Sequence, residues 1–219
     1  MKVVKYHPPG GLKHAGSGAK GTVLALALAA LGALVVVVGC VPTTVHPLYR
    51  VGDLVQDPNL LGVWRTPDDK GRWTFTSGEG KNYTLEIQVD DQRVVCVAHL
   101  FRLGEERFLD LYPAGQELGA TLHKNPYSIG LIPAHAFLRV QATNPKLRMS
   151  CMGLDWLKER LKLDPQAVAH VMLPNGGVAL TGGTEVLQAF VMEHINNADA
   201  WNVMYEDGLV RVLAKPAVR

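Results

Sequence analysis

The middle of the chain is built from short runs in which apolar and polar residues alternate. The clearest is Asn82–Val89, where Tyr83, Leu85, Ile87 and Val89 interleave with Asn82, Thr84, Glu86 and Gln88. A period of two gives a strand one buried and one wet face. Similar runs predict strands at residues 62–66, 72–76, 93–102 and 107–112. The connections carry turn residues, namely Asp68-Asp69-Lys70-Gly71, Ser77-Gly78-Glu79-Gly80, Asp90-Asp91 and Gly104-Glu105-Glu106, as short hairpin loops require. The run 93–102 is apolar on both faces, so it must be central or covered by a helix.

The second half mixes periods. Residues 129–142 and 146–151 read as two further strands around Asn144-Pro145. Asp155 is expected to cap a short helix over 156–163, and Asp164-Pro165 to open another. The best helical pattern covers 185–196: Leu187, Phe190, Val191 and His194 share one face, Glu185, Gln188 and Glu193 point outward, and Thr184 stands at the cap position. Gly176-Gly177 reads as a hairpin turn and Gly182-Gly183 as a helix start. Residues 201–205 and 209–213 are expected to form a terminal hairpin around Asp207-Gly208. The predicted class is mainly β with α, an antiparallel meander closing as a barrel or packing as a sandwich, with two or three short helices in the C-terminal half.

The first forty residues obey a different pattern. Residues 1–21 are basic and Gly-rich, and residues 22–39 form an uninterrupted uncharged run that ends at Cys40. A positive segment, an apolar core and small residues at its end describe a secretory signal. The alternative is an uncleaved span, since 18 helical residues cover about 27 Å, just the thickness of a bilayer core. Either way the rest of the chain lies outside the cytoplasm. Residues 41–58 follow, interrupted by Pro42, Pro47 and Pro58. They read as a tether able to reach about 60 Å when extended, although Leu48-Tyr49 could instead pack on the body. The domain organisation is therefore a signal at 1–39, a tether at 40–58 and a single β-rich domain at 59–219.

Charge follows the same boundary. The 219 residues carry 22 Lys+Arg against 20 Asp+Glu, a net of +2. Lys2, Lys5, Lys13 and Lys20 all precede residue 40, where there is no acidic residue; beyond it 18 basic groups face 20 acidic ones, a net of −2. A nucleic-acid partner is excluded by this balance, because such binding needs clustered basic residues.

Val37-Val38-Gly39-Cys40 resembles the lipobox of bacterial lipoproteins. That resemblance implies cleavage between Gly39 and Cys40, acylation of Cys40 and attachment to a membrane of the cell envelope. Val41, rather than Asp, follows the cysteine, which by the sorting rule of enteric lipoproteins resembles an outer-membrane address facing the periplasm. The body opens with Leu60-Leu61-Gly62-Val63-Trp64, and its Gly-x-Trp resembles the first strand of the lipocalins and calycins. There the Trp closes the barrel bottom against an Arg of the final strand, a position that Arg211 could match. The Thr-Asp-Tyr motif of that family is missing, Asp110-Leu111-Tyr112 being a poor substitute. Trp64 equally suits the core of another β-fold.

Candidate chemistry is sparse. Ala98-His99-Leu100-Phe101 and Ala134-His135-Ala136-Phe137 echo each other. If their strands are neighbours, His99, His135 and Asp110 could form a metal or acid/base site; the plainer reading is packed strand histidines. Cys96 and Cys151 could form a disulfide in an oxidising compartment or serve as small buried hydrophobes. The paired carboxylates, including Glu105-Glu106, read as solvated turn residues. No nucleophile elbow, phosphate loop or zinc-helix spacing occurs, so neither an enzyme nor a cofactor is expected. The expected partners are the membrane through Cys40, and either an apolar or amphipathic ligand or another envelope protein.

Overall fold

The computed structural model describes residues 41–115 and 133–213. A short strand β1 (Thr43–Thr44) comes first. It precedes the meander β2 (Gly62–Arg65), β3 (Gly71–Ser77), β4 (Asn82–Val89), β5 (Gln92–Leu103) and β6 (Glu106–Pro113). Then come β7 (His135–Ala142), β8 (Lys146–Met152), α1 (Leu154–Leu163), β9 (His170–Met172), β10 (Val178–Leu180), α2 (Thr184–Glu193), β11 (Trp201–Val203) and β12 (Leu209–Arg211). Each of β2 to β7 pairs antiparallel with the strand that follows it, and β12 bridges β8 and β2. The eight strands so joined close a barrel, leaving no open edge between them.

Period-two alternation fills the lumen. Trp64, Trp73, Phe75, Leu85, Leu100 and Leu109 point inward and are each no more than 1% exposed. An eight-stranded barrel is just wide enough to be filled by side chains, and here aromatic rings and leucines fill it together. A second core lies outside the barrel. Phe101 and Leu103 on β5, Phe108 on β6 and Phe137 on β7 point outward and pack against Leu157 and Leu161 of α1 and Leu187, Phe190 and Val191 of α2. This explains why β5 is apolar on both faces.

Several expectations are corrected. Gly153, not Asp155, is the N-cap of α1, which begins at Leu154. No helix follows Asp164; its carboxylate accepts from the Gln166 N–H in a turn instead. The second helix starts at Thr184 behind Gly183 and stops at Glu193. Thr184 does not cap it, because its hydroxyl donates to the carbonyl of Pro47, 2.8 Å away. The terminal hairpin does not form: β11 and β12 both pair with β8, at its opposite ends. Pairing with the exposed edge of β8 satisfies both strands while closing the barrel, which a mutual hairpin would leave open. Of the strand expected over 129–142, the part up to 132 lies outside the described residues.

Trp64 and Arg211 do meet. The guanidinium lies over the indole, 4.3 Å from its centroid, within cation–π range. Arg211 also donates to the carbonyls of Leu61, at 2.6 Å, and Asn59, while the Trp64 indole N–H donates to Leu60 O at 2.8 Å. Gly62 must be a glycine for two reasons: its φ is +116°, and a Cβ there would stand 3.0 Å from Arg211 Nη1. Gly62→Ala is therefore expected to cost about 2 kcal/mol or more in urea unfolding. Gly80→Ala, at φ +61° with open space around it, should cost about 1 kcal/mol. Equal losses would show that the Arg211 contact constrains nothing.

Candidate functional site

β5, β6 and β7 are adjacent in the barrel wall, and register places His99 opposite Asp110 and Asp110 opposite Phe137. Residues at paired positions share a face, so His99, Asp110 and His135 all lie on the outer wall. The structure thus brings together the three residues that sequence proposed, outside the barrel rather than in its lumen.

Asp110 is fully buried. Its Oδ1 lies 2.7 Å from His135 Nδ1, and its Oδ2 accepts the Leu48 N–H at 3.3 Å. A carboxylate so placed assigns the proton to Nδ1. His99 stacks on Tyr49 with centroids 4.6 Å apart, and His135 lies 4.5 Å from the Tyr112 ring. Burial pushes the His99 pKa below its usual value; the Asp110 charge acts upward and His135 downward. Burial also raises the Tyr49 phenol, and Asp110 raises it further. Both groups are therefore neutral near pH 7.

Chemically, an imidazole oriented through Nδ1 by a carboxylate can act as a base at Nε2. The His135 side chain is only 12% exposed, and both Asp110 oxygens are occupied. Among the described residues there is no grouping of three or more His, Cys, Asp or Glu side chains arranged to hold a metal ion. What the cluster does in the folded chain is hold the N-terminal segment. β1 pairs with β7 on one side and, in parallel, with β10 on the other. Past Pro47 the chain crosses β6 and β5: Leu48 is fully buried, its carbonyl accepts from Gln188 Nε2 at 2.9 Å, and Val55 N–H donates to Leu100 O. Of the two readings of residues 41–58, packing of Leu48-Tyr49 on the body is the one observed.

Sequence reasoning missed Leu48, Tyr49 and Tyr112 as members of this cluster. Tyr112 could have been found, since it stands two residues after Asp110 on the same face; the Leu48 amide carries no side-chain signal. Gln188 was expected on a solvated face and instead holds the segment. Glu106 was expected in a wet turn and instead pairs with Arg139 through both oxygens, at 2.9 and 2.8 Å. Asp68, Asp69, Asp90 and Asp91 do lie in turns.

Cys96 and Cys151 are both buried. They stand on β5 and β8, with β6 and β7 between them in the wall. Gly39 and Cys40 lie outside the described residues. Comparisons with protein-family models, with curated proteins and with solved structures return no match.

Asp110→Ala would leave Leu48 N–H and His135 Nδ1 buried without an acceptor. The expected loss is about 3 kcal/mol in urea unfolding. Asp110→Asn keeps one acceptor oxygen and should lose less; a loss below about 0.5 kcal/mol in both variants would contradict this role.

Proposed function

We propose that the chain is a lipid-anchored protein of the bacterial cell envelope, facing the periplasm, whose barrel is a solid scaffold for protein contacts rather than a ligand carrier. The anchor reading is supported by Val37-Val38-Gly39-Cys40 at the end of the apolar run; the outer membrane is the address that Val41 favours. The observation that carries the scaffold reading is the filled lumen. A carrier needs a cavity that buries most of its ligand, whereas six large side chains in this barrel are each no more than 1% exposed. Surface loops and the outer helices then remain for recognition. The alternative, an apolar or amphipathic ligand inside the barrel, would require these side chains to move apart, and packed cores resist such rearrangement.

Native mass spectrometry of the protein extracted from membranes distinguishes the readings. The expected mass is that of the acylated chain from Cys40, with an envelope protein co-purifying and no further small molecule. A reproducible additional mass of lipid size would overturn the scaffold reading. Cys40→Ser is expected to abolish acyl labelling and processing, and unchanged labelling would overturn the anchor.

A further inference from the structure

The sheet continues beyond the barrel as β1, β10 and β9, and β9 is its outer edge. Thr43, Ala179 and Val171 stand in register across these three strands. Strands lie about 4.8 Å apart, so Val171 is about 10 Å from Thr43. β1 runs parallel to β10, and stepping backward from Thr43 leads toward the start of β10, where the β9–β10 turn lies. That turn closes through the Leu173 N–H to Gly177 O and the Gly176 N–H to Leu173 O. Val171 and Met172 are about half exposed, at 51% and 52%, and Pro174 beside them is exposed. The Lys158 ammonium reaches the same turn, lying 3.9 Å from where a Cβ on Gly176 would be.

An edge strand that pairs on one side only among the described residues, and that carries exposed apolar side chains, invites a partner. The partner follows from where the described chain begins. Val41 is only 6% exposed and packs with the barrel core, so no free spacer separates the body from Cys40. Cys40 is three residues before Thr43, at most about 10 Å of chain. An acyl group on Cys40 must therefore enter the bilayer within about 20 Å of Val171.

We propose that the β9–β10 turn, with Val171, Met172 and Pro174, lies on the bilayer surface beside the acyl chains of Cys40. The proposal rests on the acylation of Cys40. Apolar side chains flanked by a lysine match the boundary between acyl chains and anionic head groups. Contact there would fix the orientation of the barrel, which acyl chains alone would leave free to pivot, and would direct the opposite side toward the periplasm.

The test uses the full-length protein, with acylation verified by mass, in vesicles of phosphatidylethanolamine and phosphatidylglycerol. Nitroxide labels are placed through Met172→Cys and, as a control across the barrel, Glu79→Cys; Cys96 and Cys151 are buried. The label at 172 is expected to collide freely with oxygen and several-fold less with a water-soluble nickel chelate than the label at 79. Equal collision with the chelate at both positions, on acylated protein, overturns the contact and leaves the anchor standing. Shielding of 172 from both relaxants means that protein covers the turn, which also overturns it. An unacylated mass overturns the anchor, and the contact with it.

Discussion

The carboxylate of Asp110 is the point on which the outer half of the structure depends. It is buried completely, and its two oxygens receive one donor from β7 and one from the N-terminal segment. A buried carboxylate is tolerated only with such partners, so the segment cannot leave without stranding it. Once Leu48 is fixed, its side chain sits in the outer core, where full burial of a leucine contributes about 2 kcal/mol. Tyr49 then lies over His99, and Gln188 of α2 closes over the Leu48 carbonyl and the Asp53 carboxylate. The residues that look most like a catalytic constellation thereby form a clamp.

The same clamp shapes the functional reading. A polypeptide of 18 residues could have held the barrel well away from a membrane, yet its first described residues are already part of the sheet. With the lumen filled and the outer wall covered on the side of β5 to β7, recognition falls to the surface loops, the sheet edges and the outer helices. An anchor at Cys40 would then hold a rigid body close to the lipid and in a defined orientation, which suits a scaffold better than a shuttle.

The barrel meander was legible in the sequence because period-two alternation survives wherever one face is wet. Asn82–Val89 is the example, and its bounds agree with the observed strand. The apolar character of β5 on both faces correctly announced a second layer. The Trp64–Arg211 contact was legible through a resemblance of three residues and one arginine. What could not be read were pairings between distant segments. Nothing local tells β11 and β12 to join β8 rather than each other, and Thr184 looks like a helix cap until Pro47 arrives to accept its hydroxyl. The cluster of His99, Asp110 and His135 could be listed from sequence only on the condition that their strands are neighbours. The second donor to Asp110 is a backbone amide, which no residue type reveals.

Amide hydrogen exchange at Leu48, resolved by NMR in the intact domain, measures the clamp most directly, because its N–H donates to the buried carboxylate of Asp110. Held in this way, Leu48 is expected to exchange as slowly as the amides of β5 and β6, opening only with the barrel. Exchange at the rate of an unstructured peptide, with β5 and β6 still protected, would show that residues 41–58 form a free tether and would contradict the account.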